Sequence, residues 1–166
     1  VPGARAWGAH CAAVCAALGV PCTVVDVSVD RADPAGLEAA ARAARRAALL
    51  EQGGVVALAH HRDDQAETVL FRAVRGAGIK GLAAMREFQP DPQGFLWRPL
   101  LATPRTELEA YARRHGLVWI EDPSNADRTH ARNYLRHDVM PQLTARFPGS
   151  AASLAGSVAG RCGDAP

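Results

Sequence analysis

A run of nine residues, from His60 to Thr68, concentrates side chains that could do chemistry. It reads His-His-Arg-Asp-Asp-Gln-Ala-Glu-Thr and so holds two imidazoles, three carboxylates and a hydroxyl. Such groups transfer protons and bind metal ions. The run follows Val55–Ala59, an apolar segment that predicts a strand buried on both faces. Because ligands of open parallel sheets bind beyond the carboxyl ends of the strands, we interpret the run as a candidate site.

A purely structural explanation of the same residues stays open. Asp64 and Glu67 have the spacing of a helix N-cap and its capping partner. Acidic residues in a first helical turn are also favoured by the helix dipole. Capping requires neither the two histidines nor Asp63, so these residues favour a site.

The elements that would position the run alternate between helix and strand patterns. In chain order we predict a helix over Ala6–Leu18, a strand over Cys22–Val27, a helix over Pro34–Leu50, the strand Val55–Ala59 and a helix over Asp64–Arg75. This order predicts an α/β fold, a partial doubly wound parallel sheet with right-handed crossovers. Two strands make a poor sheet, so we expect partner strands before Val1.

Beyond Gly81 the pattern predicts a small, mostly helical region. The predicted order is a loop over Leu82–Gln93, an extended piece over Phe95–Arg98, a helix from Thr103 to His115, an extended piece over Val118–Ile120, a turn over Glu121–Asn125 and a basic helix over Thr129–Phe147, with frayed residues from Gly160. Thr103 is the predicted N-cap, with Pro104 as the first helical residue. We therefore predict two domains, an α/β domain over residues 1–85 and a helical region over residues 86–166.

Arg128, Arg132 and Arg136 recur every four residues in the predicted basic helix, with Asn133 and His137 beside them. Like charges at this spacing weaken an isolated helix, which indicates an anion against them. Nucleic-acid phosphates suit arginine well. The alternative is a solvated face that nearby aspartates neutralise.

Composition sets limits on the class of protein. The 166 residues, 48% of them hydrophobic, suffice for one well-packed domain with or without an appendage. No apolar run approaches the ~20 residues of a membrane span, and a cytoplasmic protein is the default. The net charge of +2 is too small to indicate nucleic acid by itself. The four cysteines, Cys11, Cys15, Cys22 and Cys162, form no CxxC pair, and we predict that they are buried structural residues rather than metal ligands.

Seven blocks, taken in chain order, resemble the tRNA(Ile)-lysidine synthetase family. They are His61–Thr68, Arg75–Gly78, Gly81-Leu82 with Met85, Arg98–Leu101, Glu121–Asn125, Arg132-Asn133 and Arg136-His137. The first block alone is typical of the wider PP-loop ATP-pyrophosphatase group, whereas the later blocks are more specific. The resemblance covers the chain from its first helix to about Phe147.

Members of this family adenylate the C2 oxygen of the wobble cytidine, C34, in the CAU anticodon of an isoleucine tRNA, and the lysine amine then displaces AMP. The resemblance therefore implies a cytoplasmic ligase with ATP and Mg²⁺ as cofactors. Its partners would be tRNA(Ile) and L-lysine, with no membrane partner, and a homodimer is left open. It also implies a PP-loop fold of the adenine nucleotide alpha hydrolase type for residues 1–85 and a tRNA-facing basic helix within residues 86–166.

The resemblance also implies roles for single residues. The catalytic pocket would hold His61, Asp64, Glu67 and Thr68, with Asp64 as a candidate Mg²⁺ ligand. The residues that bind lysine or phosphate would be Arg42, Arg45 and Arg75. The contacts to tRNA would come from Arg98, Arg132, Asn133, Arg136 and His137. Arg98 could equally hold the loop on which it lies.

The sequence departs from the family pattern in the feature that grips ATP. The family's Ser-Gly-Gly-x-Asp-Ser loop, whose backbone N–H groups gather pyrophosphate, does not occur here. The position after Arg45 is Arg46, where the family usually has Tyr, and these 166 residues do not include the C-terminal tRNA-gripping domains of longer members. We therefore expect a fragment, truncated at both ends, that neither binds ATP well nor turns over alone.

Two rival functions stay open. One is a sister PP-loop enzyme such as a tRNA thiolase, which the absence of CxxC disfavours where iron–sulfur chemistry is required. The other is a noncatalytic module that keeps a tRNA-binding surface without the nucleotide loop.

Overall fold

The computed structural model describes residues 3–30, 32–34, 36–51 and 53–159. The chain divides into two compact units, Val1–Gly54 and Val55–Pro166. The predicted functional division near residue 85 stays a prediction, because compactness does not test it. None of the described helices is long and apolar enough to cross a lipid bilayer.

The first unit contains helices α1, Ala4–Ala17, and α2, Leu37–Leu50. Helix α2 begins three residues later than predicted, after Gly36, whose φ of 90° is incompatible with a helix. The predicted strand Cys22–Val27 is wrong, since these residues have no regular structure. A strand needs a neighbouring strand as its hydrogen-bonding partner, and none of the described residues pairs with this segment. The cysteines of the first unit are accessible to solvent. Cys11 and Cys22 are exposed and Cys15 is partly exposed, so the predicted burial is wrong for these three. Cys162 and the predicted frayed end from Gly160 lie outside the described residues.

Three short strands form the sheet of the second unit in the order β1-β3-β2: β1, Val55–Ala57; β2, Phe88–Asp91; and β3, Gly94–Trp97. Strand β1 runs parallel to β3, whereas β2 is antiparallel to β3 across a tight turn. The α/β class is confirmed, and so is the extended piece at Phe95–Arg98. Val55 and Ala57 are exposed and Val56 is only half-buried, so the predicted burial of this strand on both faces is wrong.

Strand β2 lies within the segment Leu82–Gln93 that we predicted to be a loop. Pro90 made this segment look irregular, but an edge strand tolerates proline because its outward side needs no N–H donor. Leu96 of β3 is buried and lies opposite Gln89 of β2. This pairing fixes the register of the two strands of the hairpin.

Helix α3, Arg62–Val74, is central to the second unit. It begins two residues before the predicted start, because His61 rather than Asp64 occupies the N-cap position. Its face with Ala66 and Val69 is buried, and helix α8, Ser150–Ala159, packs against it. Helix α4, Ile79–Leu82, follows α3. No prediction anticipated α8, whose Ala-Ser-Gly composition gives a weak apolar pattern.

Helix α5 covers Arg105–Arg114, close to the predicted Thr103–His115. Thr103 was predicted to cap it and does not. Instead the carboxylate of Asp63 accepts a hydrogen bond from the Arg105 backbone N–H at 2.9 Å. A side chain distant in sequence thus supplies the cap that we assigned to a local residue.

The segment after α5 keeps the predicted turn and loses the predicted extended piece. Val118–Ile120 has no strand structure and is exposed. The turn is present as a short 3₁₀ helix, Pro123–Ala126, whose first turn is capped by the side chain of Asp122. Aspartate followed by proline favours this conformation.

The predicted basic helix is three consecutive segments: α6, Ala131–Tyr134; a π-helical turn, Leu135–Val139; and α7, Met140–Arg146. Pro141 has no N–H for the preceding turn, which is consistent with a wide turn at this place. Arg128 lies before the helix, and the π turn interrupts the four-residue spacing. The prediction that three guanidiniums share one helix face is therefore wrong.

The buried side chain of Gln65 holds the segment between α4 and β2. Its amide N–H donates to the Met85 carbonyl at 2.8 Å, and its amide oxygen accepts from the Met85 N–H at 3.0 Å. Because only 4% of Gln65 is exposed, water cannot replace these two bonds without rearrangement.

We predict that Gln65→Ala lowers the free energy of unfolding by about 1–3 kcal/mol, because it leaves two backbone groups without partners. Gln142→Ala, an exposed helical glutamine, is the matched control. Chemical denaturation followed by circular dichroism gives both values. A difference between the two variants below about 0.5 kcal/mol would contradict the role of Gln65.

Candidate active site

The N-terminus of α3 builds the first part of the site from residues that are adjacent in sequence. His61 Nδ1 accepts from the Asp64 backbone N–H at 3.3 Å, and Asp64 Oδ2 accepts from the His61 backbone N–H at 3.0 Å. This reciprocal pair is a capping box. Because Nδ1 is an acceptor, the imidazole proton belongs on Nε2, which lies 3.3 Å from Asp64 Oδ2.

Arg136, from the π turn, completes the cluster, although it lies 69 residues after Glu67 in the sequence. Its Nε lies 2.7 Å from Glu67 Oε1 and one terminal nitrogen lies 2.9 Å from Glu67 Oε2, so the pair is bidentate. The same terminal nitrogen lies 3.0 Å from Asp64 Oδ1. One guanidinium therefore joins two carboxylates that lie one helical turn apart.

Burial makes this ion pair strong. The Glu67 side chain is 7% exposed and the Arg136 side chain 26%, so water screens their attraction poorly. The hydrogen bond to Glu67 is the main cause that raises the pKa of Arg136, and desolvation opposes it in part. Arg136 is therefore a fixed positive charge at any pH of interest. Thr68 supports the turn, since its hydroxyl donates to the Asp64 carbonyl at 2.7 Å.

A cavity of about 310 Å³ adjoins this cluster. Asp63, Glu67, Arg105 and Arg136 contribute its polar walls, and Met140 lies on its apolar side. Charges of both signs face this space. Because the lining carries both positive and negative side chains, the cavity suits a small zwitterion or a polar base better than a polyphosphate, which is wholly negative.

Two residues that we predicted to contact tRNA hold the loop at residues 122–127. The Asn133 side-chain amide donates to the carbonyls of Ser124 and Asp127, each at 2.8 Å. The His137 Nε2 lies 2.9 Å from the Asn125 carbonyl. The Thr129 hydroxyl and backbone N–H both donate to the carboxylate of Asp127 and hold it in place. These hydrogen bonds also lower the pKa of the Asp127 carboxyl. The segment from α6 to the π turn thus holds this loop through Asn133 and His137 and contacts Glu67 and Asp64 through Arg136.

The predicted binding arginines lie in different surroundings. Arg98 is 4% exposed and donates to the Arg86 carbonyl at 2.7 Å and to Gln89 at 3.2 Å, which favours the loop-holding alternative. Arg75 lies over the Phe71 ring. Arg132 is exposed on α6. Arg42 and Arg45 are exposed on α2 in the first unit.

The site does not fit a Mg²⁺ ion. Both oxygens of Asp64 are engaged, one by the His61 N–H and the other by Arg136, and both oxygens of Glu67 face Arg136. Within the described ranges no group of three or more His, Cys, Asp or Glu side chains could hold a metal ion. Asp63 and Asp64 at the start of α3 disfavour direct contact of a phosphate with this helix N-terminus.

Sequence reasoning missed Asp63 as a cap of α5 and Gln65 as the grip on Met85. Both belong to the run that we singled out, but their partners lie 42 and 20 residues away. A weak signal was available for Gln65, since it shares a helix face with the apolar Ala66 and Val69. No local signal reveals the partner of Asp63.

Comparison with known families places these residues in context. The family model for the PP-loop domain matches residues 2–143, which is most of the chain. The chain belongs to the PP-loop family. The α3 cluster, the loop at residues 122–127 and the π turn with Arg136 all lie within the matched part of this PP-loop chain.

Within the PP-loop family, the chain is similar to curated proteins that share one name. The PP-loop chain is 55% identical over 165 residues to a tRNA(Ile)-lysidine synthase of Xanthomonas campestris, which covers 98% of the chain and 38% of that protein. It is 54% identical over 159 residues to the protein of the same name in Pseudomonas fluorescens, which covers 94% of the chain and 36% of that protein. The resemblance to this family is confirmed. The chain spans little more than a third of the length of these relatives.

A solved structure confirms the fold. The U34-tRNA thiolase NcsA of Methanococcus maripaludis, solved with its [4Fe-4S] cluster, matches with a TM-score of 0.72 and 21% identity. The match covers 94% of this chain and 57% of the thiolase chain. At this identity the similarity concerns the fold alone.

The two hydrogen bonds that Asn133 donates to the loop at residues 122–127 lead to a prediction about stability. Asn133→Ala removes the donor of two hydrogen bonds, and we predict a loss of about 1–2 kcal/mol in the free energy of unfolding. Amide hydrogen exchange should become faster over residues 122–127. Asn125→Ala, which removes the same kind of side chain from an exposed position of this loop, is the control. Equal exchange in the two variants would show that Asn133 does not hold the loop.

Proposed function

We propose that this chain is part of an ATP-dependent ligase that joins lysine to C2 of the wobble cytidine, C34, of isoleucine tRNA with a CAU anticodon. The observation that carries the proposal is the identity of 55% over 98% of the chain with a protein named tRNA(Ile)-lysidine synthase. The gathering of His61, Asp64, Glu67 and Arg136 into one cluster supports it.

The reaction would need two half-sites, one for activation of cytidine and one for the incoming amine. ATP would activate the C2 oxygen as an adenylate. Since neither the capped start of α3 nor its carboxylates suit a triphosphate, we assign ATP and any Mg²⁺ to a part of the enzyme other than the described cluster. The cluster is then left for the amine and the base.

The incoming lysine amine attacks only when it is deprotonated, so the site needs a proton acceptor. In this proposal the carboxylate of Asp64 accepts that proton, and the Nε2–H of His61, 3.3 Å from Asp64 Oδ2, steadies the carboxylate. Arg136 with Glu67 would hold Asp64 in place. Asp63, which is 35% exposed at the cavity, would attract the ammonium group as it enters. Thr68 would keep the helical turn rigid.

The remaining assignments follow the family pattern. Arg42, Arg45 and Arg75 would bind the lysine carboxylate or a phosphate. Arg132 is the most suitable contact to the tRNA backbone, because it is exposed. Asn133, His137 and Arg98 would act on tRNA through the loops that they hold. We also propose cytoplasmic action, as for other enzymes that modify tRNA, and a homodimer remains open.

A sister PP-loop chemistry is the second candidate, because the thiolase NcsA shares the fold. That thiolase is described with a [4Fe-4S] cluster, which requires clustered cysteine ligands. The part of this chain that the structure describes offers no such group of ligands. The relatives that are more than 50% identical favour the lysidine reaction.

The test is a chimera. The matching 38% of the Xanthomonas campestris relative is replaced by this chain, and ATP-dependent incorporation of labelled lysine into tRNA(Ile) with a CAU anticodon is measured. We predict incorporation, and a loss of about 100-fold or more in the chimera with Asp64→Asn, because general-base groups typically contribute that much. Glu107→Gln, at an exposed position of α5, is the matched control.

Binding of tRNA to the same chimeras separates chemistry from folding. Asp64→Asn should leave tRNA affinity nearly unchanged. Absence of incorporation by the unmutated chimera, with tRNA bound normally, would refute the proposed reaction. Full activity of the Asp64→Asn chimera would show that Asp64 acts only as the partner of His61 in the capping box.

Arg132 gives a separate prediction about tRNA. In the chimera, Arg132→Ala should weaken tRNA binding and make the slope of log affinity against log salt shallower by about one ion. Arg113→Ala, on the exposed face of α5, is the control, because Arg113 already faces Glu109 at 3.3 Å. An unchanged salt slope for Arg132→Ala would show that Arg132 does not contact tRNA phosphates and would favour the alternative of a solvated helix face.

A further inference from the structure

A second cavity of the second unit, of about 570 Å³, shares no lining residue with the cavity beside Arg136. Its volume is within the range of about 300–1,000 Å³ that is typical of clefts for small ligands. Most of the lining is apolar, and it includes side chains of α3, of α8 and of the segment between α4 and β2.

The wall that the segment between α4 and β2 provides is held in place by buried side chains. Gln65 binds both backbone groups of Met85, at 2.8 and 3.0 Å. Arg98 donates from its side chain to the Arg86 carbonyl at 2.7 Å, and from its backbone N–H to the Glu87 carbonyl at 2.8 Å. Gln65 and Arg98 are each 4% exposed, so this wall is fixed before a ligand binds. A fixed wall lowers the entropic cost of binding.

Arg62 brings a positive charge and an unused donor to this cavity. Its backbone N–H donates to the Thr103 carbonyl at 3.0 Å, which fixes the base of the side chain. The Nε atom of its guanidinium is buried, and it has no hydrogen-bond partner among the residues that the structure describes. A buried donor without a partner is unfavourable, and an acceptor on a ligand would satisfy it. Since guanidinium groups pair well with phosphate and carboxylate oxygens, the ligand should carry an anionic group.

The rest of the lining suits a flat apolar group. The α8 residues that line the cavity are small, namely Ala152, Ala155 and Gly156, and a Cβ placed on Gly156 would meet nothing within 4 Å. Small side chains leave room for a planar ring, and Phe88 adds an aromatic ring to the lining. A nucleotide of unpaired RNA has both parts, because it joins a planar base to a phosphate.

This cavity and the cavity beside Arg136 both adjoin the first turn of α3. Arg62 lines the first, and the next residue, Asp63, lines the second. An RNA that places its reacting base at the catalytic cluster would therefore bring the neighbouring nucleotide close to Arg62.

We propose that this cavity binds the adenosine that directly follows C34 in the CAU anticodon, and this inference rests on the proposed function. The base lies against the small residues of α8, and a phosphate pairs with Arg62. Adenine is a purine and so offers the apolar lining a larger ring surface than a pyrimidine. Binding of this nucleotide would position C34 at the neighbouring cluster.

Two RNA hairpins with the anticodon stem and loop test the proposal. One carries the adenosine after C34, and the other has an abasic nucleotide in its place. Their affinities for the 166-residue chain are measured by fluorescence anisotropy at low salt. We expect the hairpin with adenine to bind about 10-fold more tightly, because contacts to a single unpaired base typically contribute about 5- to 150-fold in affinity.

A leucine on α8 tests whether the base occupies this cavity. Gly156→Leu adds bulk to the lining at a position where a Cβ meets no neighbour, and leucine suits a helix better than glycine. This variant should bind both hairpins with the same affinity. Ser157→Leu adds the same side chain at an exposed position of α8 outside the lining, and it should keep the 10-fold difference. Circular dichroism establishes that both variants retain their helices.

A second variant tests the phosphate contact. Arg62→Gln should weaken the binding of both hairpins and make the slope of log affinity against log salt shallower by about one ion. Arg113→Gln, on the exposed face of α5, should leave the slope unchanged.

Four results would overturn the proposal. They are equal affinities of the native chain for the two hairpins, binding of neither hairpin, an adenine-dependent difference that persists in Gly156→Leu, and an unchanged salt slope in Arg62→Gln. Lysine incorporation by the unmutated chimera separates this inference from the proposed function. Incorporation together with equal hairpin affinities would refute the adenosine site alone, whereas adenine-dependent binding without incorporation would refute the ligase reaction alone.

Discussion

The bidentate pair between Arg136 and Glu67 is the interaction on which the second unit depends. It joins residues 69 positions apart, and the added contact to Asp64 spans 72 positions. Burial makes the pair costly to form and much more costly to break, since either partner alone would be a poorly solvated charge. The π turn presents Arg136, and α3 presents both acids. The contact fixes the π turn against α3, and both of its partners line the adjoining cavity.

The same contact restricts what the site can do. Asp64 is held by His61 and Arg136, and Glu67 is held by Arg136, so neither carboxylate is available to a metal ion. The acidic start of α3 disfavours phosphate. What remains is a carboxylate that a histidine N–H steadies beside a cavity of mixed charge. In the proposed reaction this arrangement would remove a proton from an amine; the chain belongs to the PP-loop family, and its curated relatives are named tRNA(Ile)-lysidine synthases.

Local chemistry was predictable from the sequence where the partners are close together. The run from His61 to Thr68, the helix that it begins and the turn at Asp122 depend on spacings of two to four residues, and pattern reasoning found them. Pairings between distant residues were not predictable in this way. The Arg136–Glu67 pair, the cap that Asp63 supplies to α5 and the grip of Gln65 on Met85 have no local signature. The segment Cys22–Val27 has the composition of a strand, but composition cannot provide the neighbouring strand that it needs.

A double-mutant cycle on Glu67→Gln and Arg136→Met, measured as free energies of unfolding, tests this account most directly. The exposed pair Arg113 and Glu109, taken through the same cycle, provides the reference. We predict a coupling energy of about 2 kcal/mol or more for the buried pair and below about 1 kcal/mol for the exposed pair. Equal and small coupling energies in both cycles would show that the contact between Arg136 and Glu67 does not organise the second unit.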